Sequence, residues 1–377
     1  KAQPMDSVVL IGGCDKTVPA LAMGAASAGI PAIIEVTGPM LTGTHHGERI
    51  GACTDCRRFW AKYRSNEINE AEIQELTNQL VPTAGTCGVM GTASTMALMV
   101  EAMGMMLSGG SCIPASYADR FRHAEQTGSR AVGIAEENLT PDQVITEASV
   151  RNALRVLQAV GGSTNGLIHI TAIAGRLGIP IDLHEFNDLG REIPVLVDLK
   201  PSGQFYMEDL YRAGGLVPIL REIRDYLETD TRGVSGLSLG EEIDGTQAGY
   251  EQAVIRPRTS PLFPGGAMVV LHGNLAPQGA VIKQSAAEPK LLNHIGRAVV
   301  FSSLEDLASR IDDPDLEVDE GDVLVLQNAG PIGAPGMPEA GYLPIPKKLA
   351  KKGVKDMVRI SDARMSGTAF GTIVLHL

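Results

Sequence analysis

The sequence predicts an α/β protein: an N-terminal three-layer α/β domain with a parallel sheet over residues 1–235, then a C-terminal β-barrel-like domain over residues 245–377. Three observations predict it. The chain opens on a strand–helix–strand pattern, "VVLI", "ALAMGAASAG", "PAIIEV". Helical periodicity fades near residue 235, and short β-rich runs take over. The composition has 44% hydrophobic residues but only 4% aromatics, with 43 Gly and 22 Pro, which suits an enzyme with many tight loops better than a β-sandwich.

The elements follow in order. "VVLI" reads as a short buried strand. Thr17 is placed to cap the next helix, with Pro19 in its first turn and Gly29 at its end. Ligands of open α/β sheets sit beyond the carboxyl ends of strands, where helix N-termini point, and residues 12–16 fall there. "EINEAEIQELTNQL" (67–80) reads as an exposed helix. The Gly-rich "PTAGTCGVMGTAS" follows, and then a buried helix, "TMALMVEAMGMML", whose methionines fit core packing. In "LTPDQ", Thr140, Pro141 and Gln143 form a capping box, so one helix is expected from there to about Val160. "GGSTN" breaks the chain and starts another, "GLIHITAIAGRLG". Beyond 235 the expected strands are "AMVVL", "GAVI", "AVVF", "DVLVL", "MVRI" and "GTIVL", with helices at "SLEDLASRI" and "IPKKLAKK". The lysines of residues 347–352 fit a solvated helix face. No internal repeat or low-complexity tract is evident.

Bulk properties exclude some functions. A net charge of −12 repels phosphate backbones, so nucleic acid is not an expected partner. No apolar run reaches the ~18 residues of a membrane span, and no signal peptide leads the chain. Five cysteines, an odd number without dense pairing, fit a reducing, cytoplasmic setting. The sequence begins without Met and ends inside a strand-like run, as a piece of a longer protein would.

"GGCDKTVPA" (12–20) puts a thiol, a carboxylate and an amine side by side. Cys14, and Cys87 in "AGTCG", each stand in a Gly-rich loop just before a helix. Backbone N–H groups there favour a thiolate and can hydrogen-bond cluster sulfurs. Two cysteines cannot complete an iron–sulfur cluster, so a third ligand is expected from elsewhere. Asp15 offers a hard oxygen for Mg²⁺. Lys16 would become a ligand only if carbamylated, and an Asp–Lys pair at the helix start is an equal alternative. Cys53 and Cys56, in "CTDC", invite a zinc or redox reading. They lack a second pair, a nearby His and a preceding strand, so two thiols in a packed loop is the preferred account. "NAGPIGAPGMPEAG" (328–341) presents Glu339 on a stiff loop. "SDARMSGTAFG" (361–371) places Ser366 beside a permissive glycine, with no His close enough in sequence for a Ser–His–Asp triad.

Six long segments, "GGCDKTVPALAMGA", "AGTCGVMGTASTM", "AVGGSTNGLIHITAIA", "LHGNLAPQGAVIK", "GPIGAPGMPE" and "SDARMSGTAFGTIVLH", together resemble the dihydroxy-acid and sugar-acid dehydratase family, in family order. "GACTDCRRFWAKYR" is more similar to its sugar-acid, arabinonate-type branch. The resemblance implies iron–sulfur ligation by Cys14 and Cys87, and Mg²⁺ ligation by Asp15, carbamylated Lys16 and Glu339. It implies Ser366 as the catalytic base and an active site between the two domains. It also implies a cluster of [2Fe–2S] type in preference to [4Fe–4S], an aldonic acid substrate, and a homodimer or homotetramer. Cys53 and Cys56 match no family ligand. Family members are longer, and their N-terminal segment carries another cluster cysteine and another acidic Mg²⁺ ligand.

Three rivals accompany that expectation. The chain could be an inactive truncated relative that only binds ligand, or a zinc protein built on Cys53 and Cys56. It could also act on a phosphorylated substrate held by Arg57, Arg58 or Arg364. Within the family, the dihydroxy-acid branch of branched-chain amino-acid synthesis is the alternative.

Overall fold

The computed structural model describes residues 4–246, 250–334, 343–367 and 369–377. Strand β1 (Val8–Gly12), helix α1 (Thr17–Ala28) and strand β2 (Ala32–Val36) form the expected unit, with β1 and β2 parallel and Val8 opposite Ala32. α1 ends where Gly29 turns left-handed (φ 65°) and its N–H reaches the Ala25 carbonyl, a conformation that costs glycine no Cβ clash. Lys16, not Thr17, occupies the N-cap, and no side chain caps this helix end.

A small hairpin, β3 (Gly43–His45) and β4 (Glu48–Ile50), leads into α2 (Thr54–Arg64) and α3 (Glu70–Gln79). α3 starts where the Asn69 side chain accepts the Glu72 N–H. α4 (Thr92–Ala102) is buried along its whole length, and Met96 and Met99 are fully inaccessible, so its methionines do pack the core. α5 (Ala118–Glu136) follows.

The helix expected from 140 to 160 is two helices, α6 (Pro141–Val144) and α7 (Glu147–Ala159). The Thr140 box is present, but a second box, Thr146 with Ser149, restarts the helix. The Val144 carbonyl at the break accepts both the Ser149 hydroxyl and the Thr146 N–H. Then come α8 (Thr164–Gly175), capped by Ser163, and α9 (Leu183–Glu192), capped by Asp182. Three short helices close this half: α10 (Met207–Arg212), α11 (Leu216–Glu222) and α12 (Leu239–Gly245).

All six β-rich runs of the second half are strands: β5 (Val269–Leu271), β6 (Ala280–Ile282), β7 (Ala298–Phe301), β8 (Val323–Leu326), β9 (Arg359–Ser361) and β10 (Ile373–Leu375). α13 (Leu304–Arg310) packs against β7, and α14 (Lys347–Ala350) against α2. The expected barrel is not confirmed. The strands form a six-stranded mixed sheet in the order β5-β6-β10-β9-β8-β7, and among the described residues β5 does not pair with β7 to close it. The outer edge of β5 is engaged otherwise. The Gln158 amide exchanges hydrogen bonds with the Met268 backbone (2.9 and 3.1 Å), and Asn187 does the same with Val270 (2.8 Å each). Side-chain amides of α7 and α9 thus stand in for a neighbouring strand, a common way to cover a sheet edge. They also fasten the second half to the first, and Met268 and Val270 belong to the core built on β1, β2, α4 and α7.

Among the described residues no helix is long and apolar enough to cross a membrane.

Candidate active site

Two glycine-rich loops converge beyond the carboxyl ends of β1 and β2. The segment leaving β2 holds both: Thr37 N–H donates to Gly12, and Thr86 pairs with Gly38 and Met40 through 2.9 Å backbone hydrogen bonds. Gly13 lies so close to this junction that a Cβ there would stand 2.0 Å from Thr37 Oγ1 and 3.0 Å from Thr86 Cγ2. Close packing is what needs glycine at this position. Cys14 follows in a left-handed conformation (φ 71°), with its thiol exposed.

The Cys14 thiol reaches Asp15 Oδ1 at 3.5 Å. Asp15 Oδ2 takes two cations at 3.3 Å each, Lys16 Nζ and Arg364 Nη1. Arg364 comes from the second half and is only 1% exposed. The loop that carries Arg364 and Ser366 therefore reaches the Cys14–Lys16 loop.

α8 positions that loop. Asn165 Nδ2 donates to the Met365 carbonyl (2.9 Å) and to Thr92 Oγ1 (3.0 Å), and Thr92 in turn meets Ser163 Oγ at 2.9 Å. Gly367 rests on Ser163, where an added Cβ would lie 2.4 Å from its Cβ and Oγ. Lys283 Nζ, from the end of β6, donates to the Gly161 carbonyl at 2.6 Å. So "GGSTN" and "GTAST" interlock with "ARMSG" on either side of Ser366, and "AVIK" is fastened to the same "GGSTN" turn.

His169 stands one turn beyond Asn165 on α8. Burial pushes its pKa down to about 4, and the Arg364 charge adds to that. The sequence reading assigned no role to Asn165 or His169. Their i, i+4 spacing directly after a helix-starting "GGSTN" was the available signal.

Glu339 lies outside the described residues. Arg58 is engaged by Glu48 (2.6 Å) and Asp55 (3.0 Å), and Arg364 by Asp15, so two of the three arginines considered for a phosphate already face carboxylates.

The cysteine pattern needs correcting. Cys53 directly follows the β3–β4 hairpin as the N-cap of α2, so a short strand does precede it. Its sulfur meets Cys87 Sγ at 3.0 Å. Cys53 and Cys56 both line a cavity of about 340 Å³, with Arg57, Trp60 and Arg64. Asp55 between them is structural. It is 1% exposed, accepts the Gly51 N–H at 2.9 Å, and binds Lys200 Nζ (2.9 and 3.1 Å) and Tyr206 OH (2.8 Å). Burial alone would raise its pKa, but Lys200 leads the partners that pull it below the usual range.

The hydrogen bond with Cys53 pushes the Cys87 thiol far up, and burial and the nearby charges of Cys53, Cys14 and Asp15 push it further. Cys53, Cys14 and Asp15 thus all oppose ionisation of Cys87. A cationic metal centre is what allows such thiols to ionise together, so the donors fit an iron–sulfur cluster. The Mg²⁺ set is less complete. Among the described residues it comprises Asp15 and Lys16, and an ordinary lysine ammonium would repel the ion, so the fit requires the carbamate.

The fold and site define a two-part α/β protein in which thiols and a carboxylate from one half meet a buried arginine and a serine loop from the other. Sequence comparison places this class. The description "Dihydroxy-acid/6-phosphogluconate dehydratase N-terminal" matches residues 1–242, and its C-terminal counterpart matches residues 253–377. The chain belongs to the dihydroxy-acid/6-phosphogluconate dehydratase family. It is 47% identical over 380 residues to an L-arabonate dehydratase of Azospirillum brasilense, covering 100% of this chain and 65% of that protein. It is 44% identical over 380 residues to a 6-deoxy-6-sulfo-D-gluconate dehydratase of Pseudomonas putida, covering 100% and 66%. With a dihydroxy-acid dehydratase of Methanospirillum hungatei it shares 40% over 377 residues, covering 100% and 68%. The chain thus spans about two thirds of the length of these relatives.

Proposed function

We propose that this chain forms the catalytic part of a hydro-lyase that dehydrates an aldonic acid to its 2-keto-3-deoxy acid. The observation that carries the reading is the 3.3 Å contact between Arg364 and Asp15, which brings the Ser366 loop to the thiol-and-carboxylate loop. Sugar-acid relatives at 44% and 47% identity, against 40% for a dihydroxy-acid relative, favour a sugar acid such as L-arabinonate.

Overall, the substrate loses a proton from C2 and hydroxide from C3, and the resulting enol becomes the ketone. Ser366 takes the C2 proton. An ordinary serine hydroxyl is too weak an acid to ionise at neutral pH, so a strong local positive field must activate it. Arg364, buried two residues away, contributes to that field and orients Asp15. Asp15, carbamylated Lys16 and Glu339 would hold Mg²⁺, and Cys14 and Cys87 the iron–sulfur cluster, [2Fe–2S] in preference to [4Fe–4S]. When bound, the ion would stabilise charge developing on the carboxylate and C2 hydroxyl, and the cluster would act as Lewis acid toward the C3 hydroxyl. His169, with its pKa held to about 4, is neutral at pH 7 and available to hydrogen-bond a substrate hydroxyl.

The test is keto-acid formation from a panel of pentonates, hexonates and branched 2,3-dihydroxy acids, using anaerobically reconstituted protein with Mg²⁺. Turnover confined to aldonic acids supports the reading. Turnover of the branched acids alone transfers the protein to the dihydroxy-acid branch. Binding of aldonic acids without turnover, in both this chain and one extended at its N-terminus, would make it a binding protein. A homodimer or homotetramer is the expected assembly, and sedimentation of a monomer would refute that.

A further inference from the structure

We propose that His45, His46 and Glu75 form a binding site for a divalent cation of the zinc class, which fastens the β3–β4 hairpin to α3. None of the three belongs to the cluster or Mg²⁺ sets above, and the site stands independently of the reaction.

The hairpin gathers the two imidazoles. Consecutive side chains of a strand point to opposite faces. Here β3 ends at His45, which pairs with Glu48 across a turn whose two central residues, His46 (φ 48°) and Gly47 (φ 81°), are both left-handed. That is the tight turn of a two-residue hairpin. It folds the second ring onto the first, with centroids 3.9 Å apart and planes at 27°. α3 supplies the carboxylates. Glu72 and Glu75 are three residues apart and so share a face of the helix. Glu75 Oε1 lies 3.6 Å from His45 Nδ1, and Glu72 Oε1 lies 3.9 Å from His45 Nε2. One donor atom from each of His45, His46 and Glu75 lies within 4.8 Å of the other two.

The second observation is His45 itself. Its side chain is only 6% exposed, yet neither ring nitrogen makes a hydrogen bond. Both carboxylate oxygens stand beyond hydrogen-bond reach. Buried polar atoms are normally paired, so an imidazole held in this way points to a ligand. A cation on Nδ1 would satisfy one nitrogen. The Nε2–H would then face Glu72, and a carboxylate behind a metal-bound histidine fixes its tautomer and orientation. Phe59 walls the ring edge-on at 6.1 Å. His46 and Glu75 are exposed, so they can close on an ion that arrives from water.

The donors select the metal. Two imidazoles and a carboxylate, with water in the fourth position, suit Zn²⁺, whereas Mg²⁺ and Ca²⁺ prefer oxygen throughout. Ligands of a tetrahedral zinc stand roughly 3.4 Å apart, given bonds of about 2.0–2.1 Å. The 3.6 Å between His45 and Glu75 is close to that, and the exposed His46 ring supplies the remaining movement.

The experiment titrates Zn²⁺ into the whole chain and reads bound metal per chain and Tm. It compares wild type with His46→Ala, Glu75→Gln and a control, Glu70→Gln, an exposed acid on the same helix. Cysteine thiols also take up zinc, but equally in all four proteins, so the difference isolates the site. Wild type and Glu70→Gln should hold one more zinc than His46→Ala and show a zinc-dependent rise in Tm that His46→Ala lacks. Glu75→Gln should weaken that zinc at least about tenfold. Both altered ligands are exposed, and far-ultraviolet circular dichroism checks that each variant is folded. Equal zinc content and equal Tm in wild type and His46→Ala overturn the proposal and leave an ordinary histidine–carboxylate ion pair. An equal rise in Tm with Mg²⁺ overturns it in favour of an acidic patch. Co²⁺ in place of Zn²⁺ reports the donors: a thiolate charge-transfer band on the additional ion would move it to the cysteines and overturn the site. None of these results alters the dehydration reading, which its own substrate panel decides.

Discussion

Ser366, Arg364 and Asp15 set the chemistry at the scale of single residues. Ser366→Ala is expected to lower turnover by on the order of 10²–10⁴-fold, the usual contribution of a general base, and to leave the visible spectrum unchanged. A variant within threefold of wild type would remove Ser366 from the role. Asp15 and Arg364 were each visible in the sequence, but only as members of motifs. Their pairing joins positions 349 residues apart. No local pattern encodes that. Cys53 is the clearer lesson. Spacing tied it to Cys56, because C-x-x-C is a familiar pair, whereas its thiol meets a cysteine 34 positions away. The intervening Asp55 explains the motif without a metal: a buried carboxylate with four donors is a scaffold for the start of α2.

Interlocking decides the outcome at the scale of elements. Gly367→Ala would drive a methyl group against Ser163, 2.4 Å away, so the Ser366 loop must move off the N-terminus of α8. A cost of about 1–3 kcal/mol in stability is expected from such overpacking, together with a fall in turnover larger than any fall in substrate affinity. Urea unfolding and steady-state kinetics measure the two. Gln158→Ala strips the Met268 backbone of both its amide partners at a site with no access to water. It should cost about 1–3 kcal/mol. Hydrogen exchange would show faster loss at Met268, and unchanged exchange there would mean that the amide clamp does not hold the sheet edge. Capping signals in the sequence match the structure at Thr140 and Gly29 but not at Thr17, where Lys16 takes the N-cap. They misplaced the extent of the helix at Thr146, because a second capping box competes with propensity inside a continuous helical pattern.

Buried titratable groups make stability depend on pH across the whole molecule. Burial lowers the pKa of His376 to about 4, and the Arg364 and His169 charges add to that. The unfolded chain, with a histidine pKa near 6.5, binds more protons between those values. Stability is therefore fully present above about pH 6.5 and is lost as pH falls toward 4. At most roughly 3 kcal/mol belongs to this group. His376→Gln should flatten Tm against pH over that window, and an unchanged slope would show that the histidine is not the source. Desolvation lowers Lys283 to about 7, so between pH 7 and 10.5 the unfolded state again holds the extra proton and stability rises with pH. Lys283→Met should remove that rise.

The sequence by itself determined the parts. Short β-rich runs punctuated by Gly and Pro marked all six strands of the second half, the βαβ opening placed Gly12 to Lys16 at a strand's carboxyl end, and the methionines of α4 read as core. Those features depend on periodicity and local turn chemistry, which neighbouring residues carry. Only the tertiary structure decided that, among the described residues, β5 pairs with amides from α7 and α9 and not with β7. It alone paired Cys53 with Cys87 and set Arg364 on Asp15. Each of these is a contact between segments remote in the chain, fixed by how whole elements pack and not by any spacing a sequence can show.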